Sequence, residues 1–328
     1  MSGCTGTDKP QISILMAVYE PRMDWLREQL LSLNGQTYPN LKLYIRDDCS
    51  PTVSFDAIQS CVQDCIRAFP YEIRRNEENL GSNGTFERLT READGTYFAY
   101  CDQDDIWLSE KLSILQSRME ETKAELVCSD MFIIDPNGEQ TADSITQVRK
   151  HHVFRSGADL APKLLVSNFV TGCTMLIRKE TAYKAVPFCP YMVHDQYLAL
   201  VSALNGSIVS LPDRLIRYRI HGSNQTLAMA GVRDKKSYVS VRIDEIASRL
   251  NWIRKQGFDD VSFRTEVDEA ILWATARQKN FNGSFRAKKI IWKYRRFSPL
   301  TSLFEIVMAG MPNRLFMYAV ELKRKNIL

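Results

Sequence analysis

Apolar and polar positions switch repeatedly between short buried runs and helical spacing over the first 140 residues. Gln11–Tyr19 is a continuous apolar run suited to a buried strand, and Met23–Leu33 follows with Leu26, Leu30 and Leu33 on one helical face. Leu41–Asp47 reads as a second strand after the turn Tyr38-Pro39-Asn40, Phe55–Phe69 as a second amphipathic helix, and Tyr71–Arg75 as a short third strand. Thr85–Ala93 has helical spacing, Thr96–Cys101 is a fourth strand, and Leu126–Ile134 is another, closed by Pro136-Asn137-Gly138. This alternation predicts an α/β fold with a parallel sheet covered on both faces.

Beyond about residue 140 the alternation weakens. Ser167–Arg178, Ser207–Leu211 and Leu215–Arg219 read as strands around a helix at Asp195–Leu204, and from about residue 235 the spacing is helical and increasingly basic. The pattern divides the chain into an α/β domain over 10–225 and a helical, basic extension over 226–328.

Charge sharpens that division. The formal net charge is +4, yet residues 286–328 hold ten Lys/Arg against two Asp/Glu, which leaves the rest of the chain net negative. An acidic body with a basic tail does not fit a nucleic-acid binder. Basic residues interleaved with Trp292, Tyr294, Phe297, Phe304 and Phe316 fit either an anionic membrane surface or an appendage that packs on the core. No apolar run reaches about 18 residues, so no membrane span is expected. Met1–Pro10 lacks an apolar stretch and reads as a short polar leader. The eight cysteines contain no CxxC pair, and Cys61 and Cys65 lie one helical turn apart, as on a buried face. Reduced thiols in a cytoplasmic protein are the expectation, and the membrane reading of the basic tail would place it peripherally on the inner face of the membrane.

The sharpest chemical signal is Asp102-Gln103-Asp104-Asp105, directly after a buried strand. Open α/β sheets bind ligands at the carboxyl ends of their strands. Three acids within four positions repel one another unless a cation or solvent relieves them, and Mg²⁺ or Mn²⁺ with diphosphate oxygens is an economical partner. A solvated acidic turn accounts for the same residues. Asp47-Asp48 ends the second strand in the same way, either as a second acidic pair at that edge or as a turn before Ser50-Pro51.

Ala17-Val18-Tyr19, Gln36-Thr37-Tyr38-Pro39-Asn40, Asp47-Asp48-Cys49-Ser50, Asn79-Leu80-Gly81 and Asp102-Gln103-Asp104-Asp105-Ile106-Trp107 occur in that order. Together they resemble the nucleotide-sugar half of a family 2 glycosyltransferase, with wording similar to the rhamnosyltransferase-like branch; the likeness covers roughly residues 10–225. It implies a GT-A fold, a Rossmann-like mixed, mostly parallel sheet with a helical C-terminal extension. It also implies an inverting, metal-dependent transferase using Mn²⁺ or Mg²⁺. The donor would be a nucleoside-diphosphate sugar, dTDP-rhamnose first and a UDP-hexose second. The acceptor would be a hydroxyl of a cell-surface polysaccharide or lipid-linked glycan.

The resemblance assigns roles by position. Ala17 and Tyr19 would lie against the nucleotide and Asp48 would hydrogen-bond the pyrimidine. Asp104 would be the nearer metal ligand, with Asp102 holding the ribose or the metal shell. Asp195 matches the family's general base, although His194 replaces the customary Glu before it. Gly172 and Cys173, with Trp107, would border the acceptor; a glycine bend between strands accounts equally for Gly172. Arg219 and His221, in a segment running to Asn224, would offset diphosphate charge. The chain departs from the family at Cys49, where Gly is usual, and at Glu20, where Asn is common. A nucleotidyltransferase, the nearest rival enzyme, should show a Gly-rich phosphate loop, and Met16–Arg22 contains no glycine. A non-catalytic carbohydrate-binding or scaffold protein would need no diphosphate site.

Overall fold

A computed structural model describes residues 9–222 and 231–324, with side chains described to residue 322. Asn224 and most of the polar leader lie outside the described residues. Two compact units are present: Met1–Leu160, Asn168–Phe188 and Val193–Gly222 form the first, and Ala161–Ser167, Cys189–Met192 and Ser223–Leu328 the second.

The first unit is a mixed nine-stranded sheet with helices on it. Its strands are β1 (Ile12–Val18), β2 (Leu41–Asp47), β3 (Tyr71–Arg75), β4 (Tyr97–Cys101), β5 (Ile106–Trp107), β6 (Leu126–Ile134), β7 (Gln140–Ala142), β8 (Met175–Arg178) and β9 (Ile208–Arg219). The order is β3-β2-β1-β4-β8-β6-β9-β5, with β7 on β6. The long pairings, β1 with β2 and β4, β2 with β3, and β6 with β9, are parallel, whereas those made by β5, β7 and β8 are short and antiparallel. The chain runs outward from β1 to β3 and then returns to β4 on the other side of β1. That reversal opens a crevice beyond the carboxyl ends of β1 and β4, where such sheets receive ligands.

Local chemistry explains where the elements differ from the sequence pattern. The helix expected over Phe55–Phe69 is capped by the Ser54 hydroxyl and ends at Cys65, before Pro70. Ser207–Leu211 and Leu215–Arg219 are one strand, not two. The register of β9 against β6 jumps from Ser129–Leu211 to Asp130–Arg214, so Pro212 and Asp213 bulge out instead of breaking the strand. Ser167–Arg178 is mostly not a strand: Gly172–Thr174 is a 3₁₀ turn and only Met175–Arg178 joins the sheet.

The second unit is helical. Lys235–Val239, capped by Asp234, runs through a π-helical turn at Ser240–Asp244 into Glu245–Lys255. Val261–Phe281, Phe285–Lys293, Pro299–Met308 and Asn313–Arg324 follow, the last three broken before Pro299 and at Pro312. Tyr238, Ile243, Phe316 and Val320 form its core with Phe281 and Phe304. No helix of the described residues is long and apolar enough to cross a membrane. The described cysteines are free thiols, and Cys61 and Cys65 are buried.

Candidate functional site

Burial makes β4 a rigid stem: all five of its residues, Tyr97–Cys101, are buried, and the acid loop starts at its end. Asp105 is fully buried and accepts a hydrogen bond from the Arg219 backbone N–H at 3.0 Å, which ties the loop to the end of β9. Its other oxygen is buried without a partner. Asp102, Asp105 and Cys173 present ligand atoms within 4.8 Å of one another. Asp104 meets His221 Nε2 at 2.7 Å, and its charge acts on both Asp102 and Asp105.

The crowding shifts protonation. Burial, then the charges of Asp104 and Asp195, pushes Asp102 up to about 7. Burial, then the charges of Asp104 and Asp102, holds Asp105 well above the carboxylate range. Lys111, also fully buried, is pulled down by burial to about 7; its ammonium lies 3.0 Å from the Trp107 ring centroid and donates to the Cys173 carbonyl at 2.5 Å. Repelling carboxylates and an orphaned buried oxygen fit a hard divalent cation, for which oxygen donors are the preferred ligands.

The ends of β1 and β2 build the neighbouring wall. Tyr19 is exposed, and Gln103 clamps its backbone, accepting from its N–H at 2.8 Å and donating to its carbonyl at 3.0 Å. Asp48 accepts from Asn76 Nδ2 and from the Leu80 N–H, each at 2.8 Å, so the distant Asn79-Leu80-Gly81 segment fixes that carboxylate. Ala17 is half-buried on β1. Glu20 accepts from the backbone N–H of Thr52 at 2.8 Å and of Val53 at 3.2 Å, and the hydrogen bonds from Thr52 lower its pKa. Cys49 has φ 60°, the left-handed conformation that explains why a glycine would be at home there.

Asp195 stands in the first turn of the helix His194–Asn205. Its Oδ2 accepts from the Gly172 N–H at 3.0 Å, and its Oδ1 from Asn168 Nδ2 at 2.9 Å and the Gln196 N–H at 2.6 Å. Burial raises it to about 6 against these donors, which lower it. His194 is no substitute acid: burial lowers it to about 3, and its ring packs 4.2 Å from Phe86. A Cβ on Gly172 would meet His194 Nε2 at 2.6 Å, so only glycine fits while its N–H faces Asp195.

Three further candidates are buried. Arg219 is 1% exposed and donates to the Asp104, Asp135 and Pro136 carbonyls and to Glu28, so its guanidinium fixes the acid loop instead of facing solvent. Trp107 is 2% exposed, with the Lys111 ammonium over its ring. Cys173 is 1% exposed, and its thiol lies with Asp102 and Asp105. Gln103, Lys111 and Asn168 were missed. Gln103 stood inside the quoted motif, but a lysine opening an amphipathic helix and a lone loop asparagine carry no signal of their own.

Residues 13–182 match the model of glycosyl transferase family 2. WfaP of Escherichia coli, named as a UDP-Glc:α-D-GlcNAc-diphosphoundecaprenol β-1,3-glucosyltransferase, is 25% identical over 215 residues, 65% of this chain and 78% of its own. The dTDP-rhamnosyl transferase RfbG of Shigella flexneri is 24% identical over 256 residues, 74% of this chain and 81% of its own. Among solved structures, the mannosyltransferase PcManGT of Pyrobaculum calidifontis, in complex with GDP-Man and Mn²⁺, aligns with a TM-score of 0.54 at 14% identity. That alignment covers 98% of this chain and 88% of the other, a likeness of fold.

Proposed function

This chain belongs to glycosyl transferase family 2, and we propose that it transfers one sugar, with inversion, from a nucleoside-diphosphate donor to a hydroxyl of a polysaccharide or lipid-linked glycan. The observation that carries this reading is Asp195. A solitary carboxylate raised to about 6 and held by three donors is poised to accept a hydroxyl proton near neutral pH, and its charge is felt at Asp102 in the acid loop.

Each side has its own work. Tyr19, Ala17 and Asp48 receive the nucleotide, the exposed Tyr19 ring against the base and Asp48 as hydrogen-bond acceptor. Asp104 and Asp102 would hold a divalent cation, Mn²⁺ or Mg²⁺, which would offset the charge of the donor diphosphate. His221, bonded to Asp104, orients that carboxylate, and Arg219 keeps the loop in place. Gly172 lines the acceptor side through its backbone. Asp195 takes the proton from the attacking hydroxyl as the new glycosidic bond forms and the diphosphate leaves from the opposite face of the sugar. Residues 10–225 are the catalytic part in this reading.

The likeness to RfbG favours dTDP-rhamnose as donor, and the likeness to WfaP favours a UDP-hexose and a lipid-linked acceptor. Exposed Phe285, Trp292, Leu300 and Tyr318 among basic side chains of the C-terminal helices suit peripheral contact with an anionic membrane; vesicles that fail to retain the protein at low salt would refute that contact. A thermal-shift series of dTDP-rhamnose, UDP-hexoses and bare nucleoside diphosphates, each with Mn²⁺ and with EDTA, tests the whole. Metal-dependent stabilisation by dTDP species is expected; a response to UDP species alone selects the UDP-hexose reading. Folded protein that responds to none contradicts the proposal.

A further inference from the structure

The helical unit buries an ion pair for which sugar transfer has no use. Arg277, on Val261–Phe281, and Glu305, on Pro299–Met308, are 1% and 0% exposed. Arg277 Nε and Nη2 donate to the two carboxylate oxygens at 2.7 and 2.6 Å, a planar fork, and Nη2 also reaches the Arg242 carbonyl at 3.1 Å. Tyr238 donates to the same carboxylate at 2.8 Å. The Trp273 ring centroid lies 4.2 Å from the guanidinium carbon. Glu305 is thus fully engaged, while Arg277 Nη1, with two N–H donors, is buried without a protein partner.

That orphaned donor belongs to a residue lining a cavity of about 120 Å³, many times the roughly 10–15 Å³ that a single water needs. Arg242, Trp273, Tyr238, Ser298 and Thr301 also line it, and no carboxylate does. Arg242 is solvent-exposed and sits in the π-helical turn Ser240–Asp244, a local widening of the kind often found at functional sites. Ser298 donates to Thr301 at 2.8 Å, which leaves the Thr301 hydroxyl hydrogen for a ligand. Two guanidinium groups, one of them paired with Glu305 on its other edge, and a hydroxyl form a donor set for an oxyanion.

We propose that this cavity binds a phosphate group, with Arg277 Nη1 as its buried donor and Arg242 as its solvent-side cation. The phosphate could be carried on a lipid headgroup or be free in solution, and the two sources separate in one experiment on the full-length chain. Inorganic phosphate is titrated calorimetrically in EDTA, which removes metal-dependent donor binding, and retention is measured on neutral vesicles with and without phosphatidic acid. Arg242→Gln alters an exposed residue, and Thr301→Val leaves the charge unchanged, so neither threatens the fold and the second controls for general attraction.

Saturable binding that Arg242→Gln weakens about tenfold, the loss of one charge-assisted hydrogen bond, and that Thr301→Val weakens to a lesser degree, is the expected result. The pattern with inorganic phosphate marks a soluble ligand; the same pattern only with phosphatidic acid marks a headgroup. No saturable binding of either probe, or binding equal in wild type and both variants, means a cavity filled with water and overturns the proposal.

Discussion

Two carboxylate sites of the sheet unit lie within reach of each other's charge, and burial pushes both up in different surroundings. At Asp102 the push is reinforced by like charges, first Asp104 and then Asp195, so the acid loop is frustrated as it stands. At Asp195 burial is opposed by Gly172, Gln196 and Asn168, so the carboxylate stays single, oriented and near 6. A crowded cluster is suited to receive a cation, and a lone, well-donated carboxylate is suited to receive a proton. Environment, not residue type, separates the two roles.

The contrast breaks most severely at the acid loop. Asp104→Ala, or EDTA with the wild type, should raise the donor dissociation constant by about two orders of magnitude, measured calorimetrically, as expected for losing a charged partner in a buried site. Gly172→Ala attacks the other side: the added Cβ meets His194 Nε2 at 2.6 Å, and strain of about 1–3 kcal/mol should appear in denaturant unfolding. Turnover should fall with it, because the Gly172 N–H holds Asp195.

A finer test lies in pH. Asp195 must be ionised to act, so kcat/KM should rise with pH through about 6 and fall away below it. The sign of linkage is opposite for stability: a carboxylate raised in the folded state favours folding at low pH, and that contribution is lost as pH rises through about 6. Asn168→Ala removes a donor that lowers Asp195, so the rising limb should move upward by less than about one pH unit. The smallest expected effect is at Cys49, whose φ of 60° favours glycine; Cys49→Gly should change stability by about 1 kcal/mol or less, without loss of turnover.

The same contrast governs what the sequence revealed. The parallel half of the sheet was legible because β1, β2 and β4 are continuous apolar runs, two of which end directly in their acids, so strand and motif share one local signal. The role proposed for Asp195 came only through resemblance, since an acid in a helix's first turn is ordinary. What holds it was hidden: Asn168 and Gly172 act through tertiary contacts 27 and 23 residues away in sequence, in a stretch whose pattern suggested a strand. The surroundings of Arg219 were hidden for a related reason. Its charge suggested phosphate, but its burial and its bonds to Asp104, Pro136 and Glu28 come from the return of β9 beside the acid loop. Lys111 gave no sign of being buried against Trp107.

The division of labour between the two carboxylate sites is tested most directly by measuring donor binding and turnover side by side in Asp195→Asn. Donor affinity should stay within about twofold of wild type, while turnover falls by about 10²–10⁴, the usual contribution of a general base. Wild-type turnover in Asp195→Asn, or donor binding lost together with turnover, would contradict the assignment of Asp195 as the base.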